Sequence, residues 1–196
     1  MTQQVLELVG AHCDLEERLA KIPPAASVRG MYPRSVLNVL QKAGRQAPYL
    51  ELFGTRNASA IRFYPLSEYL LRLAAGGAIL ASPAEVHEGM FEISRRNALM
   101  FAESLLGRTM LRVLSPDPAR LMRQAVAAQR SSTNYAQWTL DLPSDREAVM
   151  NFRDEYNWIE WSMLGAARGT FETIDQPVEI TVELTGPFEG RHIMSW

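Results

Sequence analysis

Tyr135-Ala136-Gln137-Trp138-Thr139-Leu140-Asp141-Leu142 is where the periodicity of the chain changes. Before it, apolar residues recur every three or four positions, the spacing of one helix face. From here they alternate: Trp138, Leu140 and Leu142 point one way, Gln137, Thr139 and Asp141 the other. Alternation with period two is the mark of a half-buried strand. Pro143-Ser144-Asp145 supplies a turn, and Ala148, Met150 and Phe152 alternate along a second strand.

Downstream, Asn157 and Glu160 can start a helix to about Thr173, with Trp161, Leu164, Ala167 and Phe171 on one face. Val178, Ile180, Val182 and Leu184 then alternate with Glu179, Thr181, Glu183 and Thr185. Gly186 to Gly190 reverses the chain, and Arg191–Trp196 can pair back. The C-terminal order is therefore strand-strand-helix-strand-strand.

Upstream, the signals are helical. Val5–Gly10 is too short to assign, and Asp14 with Glu17 resembles a capping box for a helix that Pro23-Pro24 must end. A helix follows over Pro33–Lys42, stopped by Gly44, whereas residues 45–62 read as irregular. Pro65 opens a helix through about Ala75, where Gly76-Gly77 weaken or end it. Ser82-Pro83-Ala84-Glu85 combines a cap, an N1 proline and a capping-box glutamate. The helix it launches should reach about Leu106, with Val86, Met90, Ile93, Asn97, Met100 and Phe101 on one face and a break near Gly107. Asp117-Pro118 starts another, through about Arg130. A sheet with one wet face must bury the other, and only these helices can cover it. The expectation is an α+β fold in one domain, residues 1–196: a helical N-terminal layer, residues 1–134, packed on a small, mainly antiparallel sheet, residues 135–196.

Composition agrees with an ordinary globular chain: 196 residues, 47% hydrophobic and 21% charged. No apolar run approaches the ~20 residues that span a bilayer. Cys13 is the one cysteine, so no internal disulfide can form, and a cytoplasmic setting without membrane insertion is expected. The net charge of −2 divides into +5 over residues 1–140 and −7 over 141–196. Seven arginines and two acids fall between Arg95 and Arg130. Arg95, Arg96, Arg108, Arg112, Arg120 and Arg123 form a candidate basic face for a protein partner or for the acidic third of a second copy, as in a homodimer. Without interleaved aromatics, and at a pI near 6.0, nucleic acid is not the expected partner.

Val28-Arg29-Gly30-Met31, Tyr64-Pro65-Leu66-Ser67-Glu68-Tyr69-Leu70 and Ser131-Ser132-Thr133-Asn134-Tyr135 resemble a paralogous family of roughly this length known chiefly from myxobacteria. The resemblance runs from about residue 20 to 185 and implies no established activity. The element order is similar, at greater distance, to haem-dependent nitric-oxide-binding domains, vinyl-reductase-type ligand domains and vesicle-tethering subunits. That likeness implies a cavity between helices and sheet, holding haem, a small molecule or an acyl chain, or filled by side chains. Candidate lining for an apolar ligand is Asn134, Tyr135, Met150, Trp161, Met163 and Phe171.

Haem-binding relatives carry Tyr-x-Ser-x-Arg for the propionates, but Tyr135 is followed by Ala136-Gln137-Trp138. No cofactor is therefore expected, and His87 is left as a weak axial candidate. The three histidines and Cys13 make no metal-ligand spacing, and neighbouring His12 and Cys13 diverge on either a helix or a strand. There is no nucleophile elbow, phosphate loop or metalloprotease helix. The expected function is a non-catalytic regulatory or small-ligand-binding domain acting through a partner or self-association. The alternatives are a pure interaction module and a haem gas sensor.

Overall fold

The structure is a computed structural model that describes residues 1–55, 58–103 and 117–196. Its backbone divides into two compact units, Met1–Ile93 and Ser94–Trp196.

The first unit contains α1 (Thr2–Val9), α2 (Leu15–Lys21), β1 (Ser27–Arg29), α3 (Met31–Lys42), α4 (Gln46–Phe53), β2 (Phe63–Pro65), α5 (Leu66–Leu80) and the opening turns of α6 (Val86–Glu103). Helix α5 is its hub, packing against α1, α2, α3 and α4. Leu66, Leu70, Leu73, Ala74 and Ala75 are removed from solvent. At ~25 cal/mol per Å² of apolar surface, each fully buried leucine stabilises the fold by about 2 kcal/mol.

Helix α5 does not end at Gly76-Gly77, contrary to expectation; it runs to Leu80. The glycines are instead points of close approach. A Cβ on Gly77 would lie 2.6 Å from the Val86 carbonyl oxygen, and one on Gly89 only 2.1 Å from the Gly77 carbonyl oxygen. The ~1 kcal/mol helix-propensity cost of each glycine is offset by backbone-to-backbone packing of α5 against α6.

The irregular reading of residues 45–62 is also corrected, because Gln46–Phe53 is helical. Pro48 is the third residue of α4, where a backbone N–H would have no acceptor within the helix, so the proline breaks nothing. Half-buried Arg72 ties α4 to α5. It donates to the Tyr49 hydroxyl at 3.2 Å and to Glu68 Oε1 at 3.0 Å, and its guanidinium lies 4.7 Å from the Phe53 ring centroid.

The two-residue-period signal was too short to reveal β1 and β2, which pair antiparallel with Val28 opposite Tyr64. Asp14 does not cap α2 as expected. Its carboxylate instead takes the Arg18 Nε–H, at 3.0 and 2.9 Å to its two oxygens. Ser82 behaves as read, accepting from the Glu85 N–H at 3.2 Å and donating to Glu85 Oε2 at 2.9 Å.

The second unit holds the rest of α6, then α7 (Pro118–Ser132), β3 (Gln137–Ser144), β4 (Glu147–Arg153), a π-helical turn (Ile159–Met163), α8 (Leu164–Glu172), β5 (Glu179–Gly186) and β6 (Glu189–Ser195). Asp117 caps α7, its Oδ1 accepting from the N–H groups of Ala119 and Arg120. The four strands form one antiparallel sheet in the order β3-β4-β6-β5. Leu140 stands opposite Met150, Met150 opposite His192, and His192 opposite Val182. The expected α+β class and ββαββ order are both present.

Two details differ. The helix read from Asn157 opens as a π turn, and Leu184, assigned to the apolar side of β5, is 51% exposed beside an irregularity in the register. The helical face of α6 is also narrower than read. Val86, Met90 and Ile93 are buried and Asn97 and Met100 half-buried, while Phe101 is exposed. The break near Gly107 and the apolar run to Leu114 lie outside the described residues.

Candidate functional site

The core of the second unit is made by alternation on the sheet and by helix periodicity above it. Met122, Val126, Ala148, Met150, Phe152, Ile159, Met163, Phe171 and Met194 form one buried cluster. Three of the candidate lining residues, Met150, Met163 and Phe171, are thus brought together, as members of this cluster. The other three do not belong to it. Asn134 is exposed after α7, Trp161 is half-buried in the π turn, and the half-buried Tyr135 ring stands 6.2 Å from Tyr156.

The α7-to-β3 corner is tightly held. Gln129 Nε2 donates to the carbonyl oxygens of Tyr135 and Ala136 at 3.0 and 3.2 Å, fixing Ala136 in a left-handed conformation with φ 56°. This rigid corner sets how β3 runs beneath α7.

Between α7 and β3 lies an open groove of about 320 Å³, lined by Arg123, Val126, Arg130, Thr139, Leu140 and Leu142. Val126 is buried and Leu140 and Leu142 are half-buried, so the floor is apolar. Arg123 and Arg130 are exposed and seven residues apart, two turns along one helix face. Neither is in an ion pair among the described residues. A volume near 300 Å³ is at the lower limit for small-molecule pockets, and an apolar floor with a few convergent polar groups is their usual make-up. Such a groove would suit the apolar tail and anionic head of a small amphiphile. Of the groove's lining residues, Arg123 alone is among the site candidates legible in the sequence. The seven-residue step to Arg130 and the inward side of β3 were the available signals.

The rest of the candidate basic face is dispersed. Arg95 pairs with Glu172, Arg96 is half-buried, and Arg120 is exposed on α7. Arg108 and Arg112 lie outside the described residues.

Beside the groove's sheet is a buried polar chain. Trp138 Nε1 donates to Glu155 Oε2 at 2.8 Å, and the Asn157 N–H donates to Glu155 Oε1 at 3.1 Å. Asn157 Nδ2 donates to Ser162 Oγ at 3.2 Å, and Ser162 and Ser94 share a hydrogen bond of 2.7 Å. These bonds satisfy groups that would be costly to bury unpaired, and they anchor the π turn.

His192 is also buried here, its Nε2 2.9 Å from the Ile159 carbonyl oxygen. A carbonyl can only accept, so Nε2 carries the proton. Burial pushes its pKa down to about 4, against the raising effect of that hydrogen bond, and the ring is neutral near pH 7.

In the first unit, Cys13, Asp14 and His87 meet, their potential ligand atoms all within 4.8 Å of one another. Residues 13–14 and 87 are distant in sequence and adjacent in space. Burial first, then the Asp14 carboxylate, pushes the Cys13 thiol up to about 12. A thiol that holds its proton so tightly is a poor nucleophile. His12 is exposed at the end of a 3₁₀ turn.

Among the described residues, no helix is long and apolar enough to cross a membrane. No curated protein matches the sequence at a significant level.

Solved structures of similar fold are H-NOX proteins. One from K. algicida, in its Fe(II) unliganded state, is 14% identical, with 85% of this chain and 95% of that chain covered and a TM-score of 0.66. One from S. oneidensis in the Fe(II)NO ligation state is 12% identical, covering 85% and 98%, with a TM-score of 0.65. An oxygen-binding H-NOX domain related to soluble guanylate cyclases, in its oxygen complex, is 13% identical, covering 85% and 91%, with a TM-score of 0.61. At these identities the likeness is one of fold. The family described as a protein of unknown function, DUF2378, matches residues 21–161, and the chain belongs to that family.

Proposed function

We propose that this chain is a non-catalytic sensor domain that binds a small amphipathic anion in the groove between α7 and β3. The observation that carries the reading is the pairing of an apolar floor, Val126, Leu140 and Leu142, with two guanidiniums outside any described ion pair, Arg123 and Arg130. Arginine binds carboxylates and phosphates through a planar fork of donors, and leucine side chains favour an acyl or aryl body. The fold supports the same direction, since similar structures were solved with an oxygen ligand or with NO on iron. The groove borders β3, whose Trp138 bonds to Glu155 in the buried polar chain. Occupancy would therefore bias a segment rich in buried hydrogen bonds, which a partner or a second copy reads.

Haem itself has less support. The positions after Tyr135 that would serve the propionates hold Gln137 and Thr139, opposite Arg153 and Asn151 in the β3–β4 ladder. His192 is turned to the Ile159 carbonyl, and His87 stands beside Cys13 and Asp14. That donor set does not match a haem site of the H-NOX kind. Haem titration of the purified chain tests this, and a Soret band at one equivalent would restore the haem reading.

The amphiphile reading is tested by thermal shift with decanoate and, as an uncharged control, decanol. Decanoate should raise Tm in the wild type and not in an Arg123→Gln/Arg130→Gln variant, while decanol should have little effect in either. Equal shifts with both compounds would remove the proposed role of the arginines.

A surface role for α7 is supported by the exposure of Arg120, Arg123 and Arg130 along one helix. Light scattering at low and high salt tests self-association, and a monomer under both conditions leaves only a partner of another kind.

A further inference from the structure

Cys13, Asp14 and His87 offer a thiol, a carboxylate and an imidazole from two separate segments of the first unit, with ligand atoms within 4.8 Å of one another. Sulfur, nitrogen and oxygen donors together suit zinc and its neighbours rather than magnesium or calcium, which prefer oxygen alone. In a tetrahedral site with ordinary zinc bond lengths, donor atoms lie roughly 3.4–3.6 Å apart. Closing the triad onto an ion therefore needs a contraction of at most about 1.4 Å, within the reach of side-chain rotation.

Several features hold the two segments for this purpose. Leu15, next to Asp14, and Val86, next to His87, are wholly buried, as is Val9 at the end of α1. The 3₁₀ turn Gly10–His12 packs against the turn Pro83–Glu85, and the latter is closed by Ser82. Arg18, only 5% exposed, holds the Asp14 carboxylate through Nε–H, at 3.0 and 2.9 Å to its two oxygens. A carboxylate that ligates a metal is usually itself hydrogen-bonded, which fixes the oxygen's direction. Asp14 keeps 47% of its side chain exposed, so an ion has a route in from solvent.

We propose that Cys13, Asp14 and His87 form a binding site for a zinc-like divalent ion, with the fourth coordination position left to water or an exchangeable ligand. The thiolate and carboxylate together balance the ion's charge, and the thiol proton passes to solvent on binding. The site is independent of the groove reading, and it would tie α1 and α2 to the start of α6 within the first unit.

The test uses the full chain stripped with chelator and titrated with Co²⁺ as a spectroscopic probe. One equivalent should produce a thiolate-to-cobalt charge-transfer band with intense tetrahedral d–d bands, and Zn²⁺ should displace it. Cys13→Ser should abolish the charge-transfer band, and His87→Ala should weaken cobalt binding at least tenfold. Circular dichroism of the metal-free variants establishes that they fold. A second measurement needs no variant: Zn²⁺ should protect Cys13, the chain's single thiol, from alkylation by at least tenfold in rate. Cobalt binding without a charge-transfer band, unchanged affinity in His87→Ala, or alkylation indifferent to Zn²⁺ would each overturn the assignment.

Discussion

His192 should make this protein less stable in acid, and the size of its contribution follows from its surroundings. The ring lies in β6, 1% exposed, donates to the Ile159 carbonyl oxygen and meets the Phe152 ring edge-on at 4.8 Å. Burial holds its native pKa at about 4, against 6.5 for an ordinary histidine. The unfolded chain therefore takes up a proton at higher pH than the native one. Stability is full above about 6.5, falls as pH drops through the window from 6.5 to 4, and levels off below it. Each tenfold difference in proton affinity is about 1.4 kcal/mol, so the whole window amounts to about 3 kcal/mol. For a domain with a total stability of roughly 5–15 kcal/mol, that is a large share.

Urea unfolding at pH 7 and at pH 4 measures the loss, and His192→Gln isolates it. Glutamine keeps an N–H for Ile159 and cannot titrate, so its baseline drops while its pH slope flattens. Every other side chain is common to both proteins, so its contribution cancels in the comparison. The difference between the two pH-dependent losses should be about 3 kcal/mol. Equal losses, within about 0.5 kcal/mol, would mean that His192 is charged or solvated in the native state.

Three other outcomes test other parts of the structure. Gly89→Ala places a methyl 2.1 Å from the Gly77 carbonyl oxygen, and thermal unfolding should show a loss of about 1–3 kcal/mol or failure to fold. Asp117→Ala removes the acceptor for the Ala119 and Arg120 N–H groups, and urea unfolding should register a cost of about 1 kcal/mol. Phe171→Ala empties a wholly buried position in the second unit's core, at a cost of about 3–5 kcal/mol read by denaturant midpoint.

Local signals in the sequence carried most of the secondary structure because they report local physics. Ser82 and Asp117 read as caps and act as caps, and Trp138, Leu140 and Leu142 share one side of β3 as their alternation requires. The errors came where tertiary packing overrode a local preference. Gly76-Gly77 look like a helix stop, yet the value of a residue without Cβ lies in a neighbour that the local pattern does not contain. Pro48 looks like punctuation because its tolerance at the third position of α4 depends on where that helix begins. The π turn at Ile159–Met163 has an ordinary helical pattern, and its anchoring by Asn157, Ser162 and Ser94 is set by the fold.

Sites are harder to read than elements, since they join distant residues. The groove needs the register of β3 as well as the face of α7, and the Cys13–Asp14–His87 triad needs two turns to pack together. The Met- and aromatic-rich residues that suggested a ligand chamber, Met150, Met163 and Phe171, occur in a core cluster of the second unit.

The ligand proposed for the arginine-flanked groove is a small amphipathic anion. Native mass spectrometry of the purified protein, paired with identification of whatever dissociates from it, would reveal that ligand. An acidic, acyl- or aryl-bearing adduct should appear above the 22.0 kDa chain and be diminished in Arg123→Gln/Arg130→Gln. A bare chain that also takes up no decanoate when supplied, or an adduct indifferent to both substitutions, would contradict it.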